Sequence, residues 1–331
     1  MSSVLVSAAS PHMKLGWIGL GSMGMGMASN LQKHLSQMGA PSLNFYNRTK
    51  SRGAALETLG GVSNSVDELA KKSDVIFMSL SDGNAVETVL NTMLVSNDSA
   101  SHLNKKVVVD TSSVHPDTSA RARLRLKEKG AEYIAAPVLG SSPIAAKGQL
   151  LWILAGAEAA IDVVSPYIVG VMGRGVIRLG NDVRLASSLK AVANSLGISM
   201  IEVIAEAHVF AEKAGLGIAD VENLIQQQIG PAGLLISQRL TTGAYMPPRG
   251  ERPWADAGLA VLGGKEVQAT AADCGVQLSV SSLVMRNVEE AKAYGDSIER
   301  QLDVSALYGI LRMKAGLSFE TDYVKQRDGS C

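Results

Sequence analysis

The chain has 331 residues, enough for two domains at the roughly 100–200 residues typical of each. Its 31 basic and 31 acidic side chains cancel, which leaves no electrostatic footprint for nucleic acid or an anionic membrane surface and points to a small-molecule ligand. The two cysteines, Cys274 and Cys331, offer no disulfide framework, residues 1–11 lack the pattern of a secretory or transit peptide, and no apolar run approaches the roughly 20 residues that cross a bilayer, so a reducing compartment, the cytoplasm, is expected.

Between Lys14 and about Gly180, short apolar runs alternate with amphipathic stretches. Runs at 15–20, 43–46, 75–80, 107–110, 133–138, 151–154 and 176–179 predict strands, and 65–72, 83–90 and 116–129 have helical spacing. This alternation predicts β-α units around a largely parallel sheet. After Gly180 the pattern becomes helical, opening at Asn181-Asp182, either of which can cap a helix. Residues 183–214 contain no proline and end before Gly215, predicting a rod of roughly 48 Å at ~1.5 Å per residue. Apolar residues on more than one of its faces predict burial on several sides. Further helices are predicted at 218–228, 234–240, 265–274, 280–293 and 305–314, with a proline-rich loop at 245–253 and no internal repeat. The polar stretch after Leu317 predicts a loosely held tail. The expected organisation is a nucleotide-binding domain at 13–181, an all-helical substrate and oligomerisation domain at 182–317, and a tail at 318–331.

The segment Gly16-Trp17-Ile18-Gly19-Leu20-Gly21-Ser22-Met23-Gly24 places G-x-G-x-x-G where the first strand ends and a helix begins. Gly19 permits the tight turn, Gly21 lets a pyrophosphate approach the backbone, and Gly24 allows close helix–strand packing. The helix N-terminus adds amide donors and a favourable dipole, so Gly19 to Gly24, with Leu20, Ser22 and Met23, are candidate cofactor contacts. The α/β fold is therefore read as Rossmann-like, followed by an all-α domain joined through the long helix. At the end of the second strand stands Asn47-Arg48-Thr49, with Lys50 and Arg52 close by and no acidic residue. Asp or Glu there would bind a ribose 2′-hydroxyl, whereas Arg48 can pair with a 2′-phosphate, with Asn47 and Thr49 as hydrogen-bond partners. NADP(H) is favoured over NAD(H); a solvated basic turn is the bland alternative.

Four segments, taken together and in order, resemble the β-hydroxyacid dehydrogenase family, which includes the 3-hydroxyisobutyrate dehydrogenases and the glyoxylate, succinate semialdehyde and tartronate semialdehyde reductases, and more distantly the 6-phosphogluconate dehydrogenases. Besides the glycine turn, Asp110-Thr111-Ser112-Ser113 looks like the family's D-x-S-T stretch, which implies that Ser112 and Ser113 lie beside nicotinamide and substrate; on physical grounds alone they could equally cap the helix near Pro116. Ala136-Pro137-Val138-Leu139-Gly140-Ser141, followed by Ala145 and Gly148-Gln149-Leu150, is similar to the family's A-P-V-S-G-G…A…G-x-L signature, whose amides hold the substrate carboxylate. Leu139 departs from the usual serine and Ser141 from the second glycine, and the leucine implies a bulkier or less polar substrate. Lys190-Ala191-Val192-Ala193-Asn194 is the fourth segment. The resemblance implies Lys190 as acid/base and Asn194 as its substrate-positioning partner, and the i, i+4 spacing puts both on one helix face. It further implies cofactor contacts at Leu80, Ser81, Ser112 and Lys265, and a homodimer or homotetramer formed through the helical domain. Asp303-Val304-Ser305-Ala306 is similar to a D-x-S-A stretch and can cap the last helix.

The implied reaction is hydride exchange between NADP(H) and a small 3-hydroxy acid, or related alcohol, and its aldehyde or ketone. Burial would lower the Lys190 pKa towards neutrality, so that one amine serves as acid for reduction and base for oxidation. The five histidines show no metal-binding spacing and no G-x-S-x-G elbow occurs, so neither a metal nor a covalent nucleophile is expected; His208 reads as a packed core residue. An imine reductase or reductive aminase is the nearest rival, and a non-catalytic NADP-binding protein a more distant one; Lys190 and Asn194 argue against both.

Overall fold

The computed structural model describes residues 12–95 and 102–329; residues 1–11 and Cys331, on which the expectations about a leader and disulfides bear, lie outside the described residues. The described chain forms one compact unit up to Ala191 and a second from Val192.

The first unit opens with β1 (Leu15–Ile18), α1 (Ser22–Gln37), β2 (Asn44–Tyr46), α2 (Ala54–Thr58), β3 (Val62–Ser63), α3 (Val66–Lys72), β4 (Val75–Met78), α4 (Gly83–Leu94), β5 (Val107–Asp110), α5 (Pro116–Lys127) and β6 (Glu132–Ala135). The six strands pair in parallel in the order β3-β2-β1-β4-β5-β6, the doubly wound nucleotide-binding order. Strands β1, β4 and β5 are buried at every position, as a sheet covered on both faces requires.

The predicted run 133–138 is interrupted at Ala136-Pro137. Proline has no N–H to continue the ladder on β5, and the chain beyond it changes partner. There β7 (Val138–Leu139), α6 (Ser142–Ala146), β8 (Leu150–Leu154), α7 (Glu158–Val164) and β9 (Gly173–Arg178) build a separate sheet of order β7-β8-β9, with β7 antiparallel to β8. Trp17 of β1 stacks on Phe77 of β4 at 5.6 Å, and Phe77 meets Trp152 of β8 edge-on at 6.4 Å, which joins the two sheets in one core.

The long helix α8 (Val183–Lys213) follows, then α9 (Ile218–Gln228), α10 (Pro231–Thr241), α11 (Ala257–Asp273), α12 (Ser279–Ser297), α13 (Leu307–Lys314) and α14 (Asp322–Asp328). Burial of α8 on several sides does not hold: Leu185, Val192, Leu196, Val203 and Phe210 are exposed, the last at 76%. By length and composition α8 could also cross a membrane, which a search for an unbroken apolar run misses. Polar residues on its second-unit turns nevertheless make protein contacts, since buried Glu202 accepts a hydrogen bond from Asn287 of α12 and His208 Nε2 lies 2.7 Å from Ser237 Oγ of α10. His208 is the packed core residue expected, 3% exposed.

Two further expectations fail in this unit. Helix α11 begins eight residues early, at Ala257, capped by Asp256, whose carboxylate accepts from the Leu259 amide. Its glycines do not break it, because Gly264 leaves room for Met285, whose sulfur would lie 2.5 Å from a Cβ there. The tail is not loose either. Phe319 is 4% exposed, stacks on Tyr294 at 4.0 Å and fills the space left by Gly309, where a Cβ would stand 2.4 Å from its ring. Tyr245 Oη donates to the Phe319 carbonyl and accepts from the Thr321 amide, while Arg327 of α14 donates to the carbonyls of Gly243 and Met246. Phe319, together with fully buried Val324, therefore anchors a largely polar segment.

Candidate functional site

In a doubly wound sheet, ligands bind beyond the C-terminal ends of the strands where the strand order reverses, here between β1 and β4. The glycine turn lies at that point. Gly19 has φ +99°, and a Cβ on it would sit 2.2 Å from the Ser79 carbonyl oxygen; a Cβ on Gly24 would sit 2.2 Å from the oxygen of Gly19. The Trp17 indole N–H donates to that same Gly19 oxygen at 2.8 Å and braces the turn from beneath. Among the described residues, none comes near a Cβ placed on Gly21, and no side chain caps the first turn of α1 behind it. Free amides, a helix dipole and an absent Cβ together fit a dinucleotide pyrophosphate.

The selector lies beside this turn but does not present all the groups expected of it. Asn47 Oδ1 accepts from the Leu20 amide at 2.8 Å and its Nδ2 donates to the Thr49 carbonyl, so this side chain ties β2 to the glycine turn. Arg48, Thr49 and Lys50 are exposed and remain available to a ligand. Across the switch point Asp82 caps α4 through the Ala85 amide, and its pKa is lowered chiefly by the Ser81 hydroxyl, with Arg48 contributing charge attraction.

Leu80 and Ser112 meet at the ends of β4 and β5, where the Leu80 amide donates to Ser112 Oγ at 2.9 Å. Ser112 is 4% exposed, and its amide and hydroxyl both engage Asp110. Its side chain is spent on the fold, which leaves half-buried Ser113 as the more open of the two hydroxyls. Neither serine caps the next helix: His115 Nδ1 does, accepting from the Asp117 amide.

The segment similar to the family's carboxylate-binding signature continues past Pro137. Val138 is buried, Leu139 and Ser141 are half-buried and Gly140 is exposed. The signature is fixed to the nucleotide helix, because Asn30 of α1 donates to the carbonyls of Ala145 and Ala146. Lys190 joins it directly: Nζ donates to the Val138 carbonyl oxygen at 2.8 Å, and burial lowers the lysine pKa from 10.5 to about 8. Asn194 stands one turn further along α8, half-buried, and Lys265 lies exposed on α11 of the second unit. Asp303 is a hub of the helical core, accepting from the amides of Ala255 and Ser305 and pairing with Arg239 at 2.5 Å.

The sequence profile of the NAD-binding domain of 6-phosphogluconate dehydrogenase matches residues 14–180. An NADH-dependent oxidoreductase of Aspergillus ustus is 29% identical over 90% of this chain and 99% of its own. Glyoxylate/succinic semialdehyde reductase 1 of Arabidopsis thaliana is 31% identical over 62% of this chain and 68% of its own. Among solved structures, a 3-hydroxyisobutyrate dehydrogenase from Salmonella typhimurium shares the fold with a TM-score of 0.74 at 22% identity, covering 90% of this chain and 99% of that one. An imine reductase of Streptomyces aurantiacus overlays with a TM-score of 0.58 at 22% identity, over 90% and 99%.

Proposed function

This chain belongs to the β-hydroxyacid dehydrogenase family of oxidoreductases, with a pyridine-nucleotide-binding domain at its start, and from that premise we propose that it is an NADP(H)-dependent enzyme interconverting a small 3-hydroxy acid and its aldehyde or ketone. The observation that supports this reading best is the desolvated Lys190 amine, held by the Val138 carbonyl immediately before Leu139-Gly140-Ser141.

Bound NADP(H) supplies the hydride for reduction or accepts it in oxidation. Gly19, Leu20, Gly21, Ser22, Met23 and Gly24 would hold its pyrophosphate, Arg48 and Thr49 its 2′-phosphate, and Leu80, Ser81 and Ser113 would border the nicotinamide, with Lys265 a further contact. Asn47 and Ser112 take part by shaping this edge of the sheet. The Gly140 and Ser141 amides would receive the substrate carboxylate, and Asn194 would orient the oxygen beside Lys190. Lys190 Nζ gives its proton to the oxygen that gains charge during reduction and takes it back in oxidation. A pKa of about 8 leaves both forms populated near neutral pH, and the Val138 carbonyl occupies one N–H while leaving the others for substrate.

A second cofactor reading, NADH, is favoured by the description of the Aspergillus relative. The exposed apolar residues of α8 and α9, among them Val203, Phe210, Ile218 and Leu224, support a homodimer or homotetramer formed through the helical unit; light scattering that returns a monomer mass would refute it. We place the enzyme in the cytoplasm and assign it neither a nucleic-acid nor a membrane partner.

The test follows nucleotide absorbance with NADPH and NADH over a panel of glyoxylate, succinate semialdehyde, tartronate semialdehyde and a cyclic imine. The native chain reduces an aldehydo acid with NADPH, and Lys190→Ala loses on the order of 10²–10⁴-fold in kcat while still binding nucleotide. Turnover of the imine alone, or full activity in Lys190→Ala, moves the assignment to an imine reductase. Nucleotide binding with no turnover of any carbonyl makes it a non-catalytic NADP-binding protein.

A further inference from the structure

The buried polar side chains of the first unit include Asp110, Tyr133, Ser119 and Ser187, each at most 4% exposed, where apolar ones would fill the space as well. They form one line. Tyr133 Oη donates to Asp110 Oδ2 at 3.0 Å and lies 3.5 Å from Ser119 Oγ, which lies 2.8 Å from Ser187 Oγ. At the other end the Ser112 amide donates to Asp110 Oδ1, and the Leu80 amide to Ser112 Oγ, each at 2.9 Å. The line therefore runs from the ends of β4 and β5 to the first turns of α8, three residues before Lys190. Each hydroxyl can direct its hydrogen towards Asp110, which makes that carboxylate the common acceptor. Burial raises the Asp110 pKa, and the Ser112 and Tyr133 donors oppose the rise.

Such a network costs stability relative to an apolar core, but once satisfied it admits a single geometry. Apolar contacts between α5 and α8 would tolerate small slides; a hydroxyl pair at 2.8 Å does not. The strand bearing Tyr133 also ends three residues before Val138, whose carbonyl receives Lys190 Nζ. We propose that Tyr133, Ser119 and Ser187 are positioning residues that fix the α8 turn bearing Lys190 against the Leu80–Ser112 edge, and so set the reach of the lysine amine. This rests on the lysine reading above.

Tyr133→Phe and Ser187→Ala each remove one oxygen and leave the packing otherwise intact, so either can carry the test if the other fails to fold. On an aldehydo acid from the panel above, each lowers kcat by about tenfold, because a displaced proton donor weakens the chemical step, and leaves the KM for nucleotide unchanged. The double variant falls little further than either single one, since the line is already cut. Native kcat in both singles, or losses that multiply in the double, overturns the proposal in favour of a purely structural network. Lys190→Ala assayed beside them separates the two ideas: retained activity there sinks the lysine reading, whereas an inactive Lys190→Ala with a fully active Tyr133→Phe sinks only this one.

Discussion

Glu202 lies on α8 within the helical unit, 2% exposed, and burial raises its pKa from 4.5 to about 7. Asn287 donates to Oε1, while Oε2 has no hydrogen-bond partner among the described residues. Glu206 and Glu290 repel its charge, and Lys314, bonded to Asn287 Oδ1 at 2.6 Å and paired with Glu290 at 2.8 Å, attracts it. The folded chain thus holds this proton to higher pH than the unfolded chain does. Between pH 4.5 and about 7 the folded state binds more protons, so stability falls as pH rises, and the penalty is complete above pH 7. At about 1.4 kcal/mol per pH unit the full effect is about 3 kcal/mol, and screening by nearby water and charges reduces it to about 2 kcal/mol. Glu202→Gln keeps an acceptor for Asn287 and removes the charge, so it stabilises the protein at pH 8 by about 2 kcal/mol and changes little at pH 5. Urea unfolding at the two pH values, followed by tryptophan fluorescence and circular dichroism to register each unit, measures the difference. A gain of equal size at both pH values, or a loss at pH 8, would refute the argument, because only an ionising Glu202 makes the effect depend on pH.

With the lysine pKa at about 8, kcat/KM for alcohol oxidation climbs through pH 8 as Nζ deprotonates, and carbonyl reduction declines over the same range; Lys190→Arg, which does not titrate there, abolishes both limbs in a stopped-flow pH series. Arg48→Ala raises the KM for NADPH by about 10–100-fold, the worth of a charge-assisted hydrogen bond, and leaves that for NADH nearly unchanged; equal effects on both would make Arg48 a bystander. Phe319→Ala destabilises the helical unit by about 3–5 kcal/mol in urea unfolding, and a loss below about 1 kcal/mol would show that the final helix is not anchored there.

The parts legible in the sequence are those whose cause is local. The glycine turn announces itself because Gly19 and Gly24 leave no space for a Cβ, and that constraint is written into consecutive residues. Lysine and asparagine one turn apart on an apolar helix are visible for the same reason. Sequence reading goes astray where the deciding neighbour is remote. Pro137 redirects its strand to pair with β8, Gly264 serves Met285 on another helix, and Phe319 finds its cavity at Gly309.

Roles at the site divide along the same line. Side-chain identity suggested Asn47, and the family resemblance Ser112, as ligand contacts, but the Leu20 amide, the Leu80 amide and Asp110 claim them first. A buried amide left without a partner costs about 1–3 kcal/mol, so polar side chains nearest the strand ends satisfy the backbone before they can serve a ligand. The residues left open among those described are then the informative ones: Gly21 without a neighbour for a Cβ, Arg48 and Thr49 at the surface, and the Lys190 amine donating to a carbonyl. Tyr133 could have been found by one sequence signal, a hydroxyl within an otherwise apolar strand, since such a group is rarely buried without a partner worth its desolvation.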